Sequence, residues 1–234
     1  MNIVVLDRSD WWDEEHVRLV DRRADHIRAV LRAAVGDSVR VGELNGHLGH
    51  GRICAIDADS VVLRVELSQP PPPRHRFDVV LSLPRPKVLR RLFRTVAEYG
   101  VANLHLINSA RVEKSYWQSP LLAPDKVHDA LLAGMERASD TVVPQVHQYR
   151  RFRPFVEDQL KDICAGRPCW IAQMGASLAL RETPPGDAVV MVGPEGGFVP
   201  FELELAQAVL AQPVHLGSRT LSVDTALTTA LAQG

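Results

Sequence analysis

Four consecutive prolines, Pro70 to Pro73, constrain this chain more than any other feature. Such a run can continue neither a helix nor a central strand, because each ring fixes φ and removes a backbone donor. It favours a stiff, extended polyproline segment. The stretch PPPPRHR, Pro70 to Arg76, therefore reads as a boundary, since the pattern changes across it. A rigid edge loop within one domain is the weaker reading. With 234 residues available, the expected division is a first domain over 1–70 and a second over 74–234.

Before the prolines the pattern is β-rich. SVRVGEL (Ser38 to Leu44) alternates, NGHLG supplies turn residues, and SVVLRVEL (Ser60 to Leu67) is a second strand candidate. One helix, ADHIRAVLRAA, interrupts and closes at Val35-Gly36-Asp37. A small β-barrel is the natural expectation. After the prolines, strands and helices alternate. FDVVLSL, NLHLINS, CWIAQM, AVVMVG and PVHLG read as strands. RPKVLRRLFRTVAEYG, PDKVHDALLAGMERAS, PFELELAQAVLA and SVDTALTTALA read as helices. This alternation predicts an α/β domain with a parallel sheet covered on both faces.

Composition removes several function classes. The formal net charge is −1, so the molecule is no polycation and any nucleic-acid contact must be local. Three cysteines without CxxC spacing argue against a disulfide framework or zinc site and fit a reducing cytoplasm. The nine histidines form no HExxH motif, and no metal is expected. The stretch MNIVVLDRSDWWDEE turns acidic too soon for a signal peptide. No apolar run is long enough to span a bilayer.

Two stretches carry chemistry. In AVVMVGPEGGF a buried strand feeds a glycine turn, and Pro200 stands at a plausible first helical position. Open α/β sheets bind ligands beyond the carboxyl ends of their strands. Glycines there let a backbone approach a ligand closely. Neither GxGxxG nor GxxxxGK[ST] is present, so neither dinucleotide nor P-loop binding is indicated. Spacing alone fits a ligand loop and a plain structural turn equally. In HLGSRTLSVDTALTTA a short strand ends at Leu216-Gly217, and Ser222 or Asp224 can cap the next helix. A plain strand-to-helix connection would read the same way.

Together these stretches resemble the cofactor loops of the SPOUT methyltransferases, specifically the RsmE-type small-subunit ribosomal RNA uridine-N3 methyltransferases. Gly193, Pro194, Glu195, Gly196, Gly197 and Phe198 match that family's GPEGGFS. Leu216, Gly217, Arg219, Leu221, Thr225 and Ala226 match its LGxRILRxETA. His26, Val30, Leu31, Arg32, Gly36 and Asp37 match an N-terminal HxxxVLRxxxGDxVxV. TVAEYGV and VPQV resemble KATELGV and IPEV, so the likeness runs over nearly the whole chain. It implies a PUA-like RNA-holding barrel followed by an α/β domain tied in a deep trefoil knot, an exception to unknotted chains. It also implies bound S-adenosylmethionine, a ribosomal RNA substrate, and a homodimer with the active site near its interface. The cofactor would lie against Val192, Gly193, Glu195, Gly196, Gly197, Leu216, Gly217, Leu221 and Thr225.

Methylating a neutral uracil N3–H requires proton removal and stabilisation of the resulting anion. Glu195 and Asp224 are the carboxylates on the two loops, and Arg219 is the nearby cation. Glu195 can equally brace its loop by bonding backbone amides. For RNA, Lys87, Arg90, Arg91 and Arg94 share one helix face, opposite the apolar stripe Val88, Leu89, Leu92, Phe93, Val96 and Tyr99. A charged face is usually just solvated, but four cations with only Glu98 at the end favour phosphate contact. Arg28 and Arg32 are the N-terminal candidates, in a region that also holds Arg18, Arg22, Arg23 and Arg40. Trp11 and Trp12 can stack on bases, although core or interface packing is their commoner use.

The chain departs from the family at Ser222, where a second arginine is usual, and at Asp224 in place of glutamate. Val199 removes a polar cap, ERASD (Glu136 to Asp140) replaces a basic EQSxR, and Thr95 replaces a lysine. These losses would fall on the substrate side. Two functions follow: an RNA methyltransferase acting on the family uridine or another target, or a non-catalytic RNA-binding or ribosome-assembly protein keeping the fold.

Overall fold

The alternating segments before the prolines form a five-stranded sheet. Its strands are β1 (Val4–Leu6), β2 (His16–Leu19), β3 (Ser38–Glu43), β4 (Leu48–Ile56) and β5 (Val61–Gln69), in the order β1-β3-β4-β5-β2. All pairings are antiparallel except β1 with β3. Alternation sends Val39, Val41, Ile53, Val61, Leu63 and Val65 into one apolar core, and Trp11 packs against it. Trp12 is 71% exposed. The computed structural model describes residues 1–234 and divides into two compact units. One comprises Met1–Pro73 and Leu132–Val143; the other comprises Arg74–Leu131 and Pro144–Gly234.

Two local expectations fail here. The helix expected from Ala24 is only α1 (Arg22–Asp25), continued by one π-helical turn, His26–Val30. Ala24 and Ile27 find core, whereas Val30, Leu31 and Val35 stay exposed, so the periodic pattern has nothing to pack against beyond one turn. Arg32 then takes φ +52, which ends the helical path. The glycines of NGHLG are not all turn residues. Gly49 lies in β4, where a Cβ would sit 1.8 Å from the Glu66 carbonyl oxygen. That close strand approach, beside a register shift at Leu48/Gly49, requires glycine.

Residues 132–143 contain the last turns of α3 (Pro124–Ala138) and carry the ERASD departure. Glu136 is 4% exposed, and both its oxygens accept from Arg22, at 2.7 and 3.0 Å. Its carbonyl accepts from Asn2 N and Ile3 N. Asp140 accepts from the amides of Thr141 and Val142. These acids are therefore structural clamps of the first unit rather than an open substrate edge.

The second unit holds six parallel strands in the order β11-β9-β10-β6-β7-β8. They are β6 (Phe77–Ser82), β7 (Asn103–Ile107), β8 (Gln145–Tyr149), β9 (Cys169–Ala172), β10 (Ala188–Val192) and β11 (Ala211–Val214). Every residue of β6 and β10 is buried, as a sheet covered on both faces requires. The helices are α2 (Pro86–Glu98), α4 (Phe152–Pro154), α5 (Leu160–Cys164), α6 (Pro200–Val209) and α7 (Val223–Leu231). A π-helical turn, Phe155–Gln159, joins α4 to α5. Leu89, Leu92, Phe93, Val96 and Ala97 are the buried stripe of α2; Val88 and Tyr99 are only half-buried. On β7, His105 stacks on His147 of β8 with ring centroids 4.7 Å apart. Asp78 is buried nearby in sequence on β6; it pairs with Arg167 at 2.8 Å and accepts from both nitrogens of Asn103.

Candidate functional site

The chain runs outward through β6, β7 and β8, then returns to the other side of β6 with β9, β10 and β11. The reversal falls between β6 and β10, and ligands in open α/β sheets bind at such a switch point. Three loops converge there. They follow β9 (Ala172 to Met174), β10 (Val192 to Gly197) and β11 (Leu216 to Leu221), and together they enclose a cavity of about 310 Å³.

The loop after β10 is a tight turn in which Gly197 N donates to Pro194 O at 2.8 Å. Gly197 has φ +72, a left-handed conformation that a side chain would strain. Val199 gives α6 no side-chain cap. Buried Glu202 compensates by accepting from Val199 N at 3.0 Å with one oxygen. Its other oxygen accepts from Ala110 N at 2.7 Å, tying the loop after β7 to the start of α6. Arg111, next in that loop, donates to the carbonyls of Gly196 and Gly197.

Of the expected cofactor residues, Val192, Gly193, Glu195, Gly196, Gly197, Leu216, Gly217 and Leu221 line the cavity. Thr225 does not. Its hydroxyl lies 2.9 Å from that of Ser222, while Val223 and Ala226, one helical turn apart on α7, face the cavity instead. Asp224 also lies off the cavity wall, whereas Arg219 is exposed and lines it. Glu195 Oε1 accepts from the Arg85 backbone N at 3.2 Å and lies 3.7 Å from Arg85 Nε. A bracing bond is thus present, and the second oxygen of Glu195 takes no protein donor.

Asp224 is held by two donors. Ser222 Oγ donates at 2.6 Å, and Arg91 of α2 pairs with the other oxygen. The Ser222 hydrogen bond leads in holding this carboxyl below its ordinary pKa; Arg91 adds to it, against a burial effect that raises it. Ser222, not Asp224, is the N-cap residue of α7, but its hydroxyl serves the Asp224 side chain rather than a backbone amide.

The four cations of α2 are not equivalent. Lys87 and Arg90 are exposed and make no ion pair. Arg91 is committed to Asp224, and Arg94 is half-buried with its Nε shielded and unpartnered. In the first unit Arg28 donates to the Asp57 carbonyl and to Asp25, while Arg32 is exposed. Sequence reasoning missed Arg85, Arg111, Gln173 and Met174 at the site. Gln173 and Met174 were legible as the end of a strand beside AVVMVG. Arg85 and Arg111 act across folds of the chain and have no local signal.

Comparison with known proteins gives a consistent picture. A family model described as "RNA methyltransferase domain" matches residues 70–233. The chain is 29% identical over 222 residues to the ribosomal RNA small subunit methyltransferase E of Treponema pallidum, covering 91% of this chain and 82% of the relative. It is 26% identical over 225 residues to the protein of the same name from Synechocystis, covering 94% and 73%. It also resembles a crystal structure of a ribosomal RNA small subunit methyltransferase E from Neisseria gonorrhoeae bound to S-adenosyl methionine. That likeness has a TM-score of 0.77 and 19% identity, covering 99% of this chain and 95% of the other.

Proposed function

Because the chain belongs to the family of RNA methyltransferase domains, we propose that it methylates N3 of a uridine in small-subunit ribosomal RNA, using S-adenosylmethionine. The observation that carries this reading is the cavity walled by both motif loops at the switch point of the sheet. The relatives named for that activity support it. The donor set fits the cofactor. Val192, Leu216, Leu221 and Ala226 offer an apolar wall to an adenosyl group, and the glycine turn leaves its backbone open to a polar tail. The cofactor, when bound, supplies an electrophilic methyl group.

The chain's own residues supply the rest. Glu195 has one carboxylate oxygen without a protein donor at the cavity wall, and it is the better-placed proton acceptor for N3–H. Asp224, an anion with two donors and a lowered pKa, is a poorer one. Arg219 stands at the same wall to stabilise a uracil anion. Lys87 and Arg90, with Arg32, are the cations we assign to RNA phosphate. The same reading includes a PUA-like barrel over residues 1–70, a knotted SPOUT domain over 74–234, a homodimer, and a cytoplasmic location. It is supported by the two motif loops and by the relatives. No helix is long and apolar enough to cross a membrane.

One observation favours a second reading, a non-catalytic RNA-binding or ribosome-assembly protein. Ser222 stands where the related motif has arginine, and Asp224 is tied to Arg91. Mass mapping of small-subunit ribosomal RNA from cells with and without the protein separates the two. A methyl group missing from one uridine supports the enzyme. An unchanged RNA, with cofactor binding intact by calorimetry, supports the second reading.

A further inference from the structure

The cavity contains one polar group that the protein leaves unserved. The Gln173 side-chain oxygen is closed to solvent, and nothing in the protein donates to it, although Gln173 is part of the cavity wall. A shielded, unpaired amide oxygen is costly and calls for a partner. Gln173 follows β9, which lies between β11 and β10, so it stands at the middle of the three loops. Its backbone N–H is fixed to Val214 O at 2.8 Å, which holds the residue in place.

The chemistry of the wall says which donor suits it. The charged groups Glu195 and Arg219 come from the two outer loops, whereas Gln173 is flanked by Ala172 and Met174. A neutral amide between apolar neighbours suits a neutral, planar portion of a ligand. A carboxamide offers one acceptor and one donor at the spacing of adenine's amino group and adjacent ring nitrogen. We propose that Gln173 reads the adenine edge of the cofactor, its oxygen accepting from the exocyclic amino group; this rests on the cavity being an S-adenosylmethionine site. Gln173 is then a specificity-determining residue, since a site built to pair a donor rejects the analogue that lacks it.

The test is calorimetry on the full-length protein and Gln173→Met, with three probes. These are S-adenosylhomocysteine, its analogue carrying purine instead of adenine, and its 2′- and 3′-deoxy forms. The wild type is expected to lose about tenfold or more in affinity when the amino group is removed. Gln173→Met should bind S-adenosylhomocysteine about tenfold more weakly and no longer distinguish the purine analogue. The deoxy penalties should be equal in both proteins. Gln173→Glu, which keeps an acceptor, should keep the preference for the amino group, and it serves if the Met variant does not fold. Equal wild-type affinity for adenine and purine forms overturns the assignment while leaving the cavity reading intact. So does a Met variant that loses only the deoxy penalty, which would place a ribose hydroxyl on Gln173. No binding of S-adenosylhomocysteine to the wild type overturns the cavity reading and the assignment together.

Discussion

The Ser222 hydroxyl donates to Asp224 Oδ1 at 2.6 Å in the first turn of α7, and Arg91 takes the other carboxylate oxygen. The serine that replaces a family arginine has therefore become part of an anion clamp. Ser222→Ala removes the leading cause of the lowered Asp224 pKa, so that pKa should rise toward its ordinary value of 3.8. Carboxyl titration followed by NMR checks it. Because neither residue lines the cavity, cofactor affinity should stay at the wild-type level. An unshifted titration would mean that Arg91 alone holds the carboxylate.

Two neighbouring glycines should respond differently to alanine. At Gly197 a Cβ meets nothing within 4 Å, so any cost comes from the backbone at φ +72. Gly197→Ala is expected to lose about 1–2 kcal/mol of stability. At Gly196 φ is ordinary, but a Cβ would lie 2.8 Å from Arg111 Cδ. Gly196→Ala should displace the Arg111 strap, weakening cofactor binding with little change in stability. Thermal unfolding and calorimetry on both variants check the split. The reverse pattern would place the conformational requirement at the wrong glycine.

The sequence showed what is local and periodic. The fully apolar runs of β6 and β10 and the stripe Leu89, Leu92, Phe93, Val96 on α2 each announce a buried surface without help from the rest of the chain. It did not show β8, because QVHQY has few aliphatic residues and its role depends on pairing with β7. The helical segment 152–164 was also unread, although Phe152, Phe155, Val156, Leu160 and Cys164 follow a helical period and Pro154 lies in the tolerated first turn. At the site, the glycine loops were legible because strand, turn and helix adjoin in sequence. Arg85 and Arg111 were not, because each reaches its partner across about a hundred residues or fewer of intervening chain, a distance local pattern cannot bridge. ERASD misled for a related reason: its charges suggest solvent, but Arg22 and backbone amides satisfy them internally.

Acid should weaken the protein through His105. This residue is 5% exposed, and burial, followed by the charge of His147, lowers its pKa to about 4 from an ordinary 6.5. Asp78 opposes the shift, and Arg167 adds to it. The unfolded chain therefore takes up a proton between those values while the folded chain does not. The stability is fully present above the unfolded pKa and falls as pH drops from about 6.5 toward 4. Between about pH 7 and pH 5 the loss should be about 2 kcal/mol. Denaturant unfolding at the two pH values should show a flatter dependence in His105→Phe than in the wild type. Equal slopes would assign the acid sensitivity to other groups.

The cations of α2 should separate by partner. Lys87 and Arg90 are exposed and unpaired, whereas Arg91 already neutralises Asp224. Each lysine or arginine that meets an RNA phosphate releases condensed counterions and contributes about 0.7–0.9 to the slope of log affinity against log salt. Replacing both Lys87 and Arg90 with alanine should therefore lower that slope by about 1.5 for a small-subunit RNA fragment. Arg91→Ala should leave the slope nearly unchanged, because its charge is spent within the protein, and should raise the Asp224 pKa. Filter binding across a salt series, with each variant checked for its fold by circular dichroism, measures both effects. A slope that drops on Arg91→Ala but not in the double variant would mean that RNA displaces Asp224 from Arg91, and would move the phosphate contact to the α7 end of the helix face.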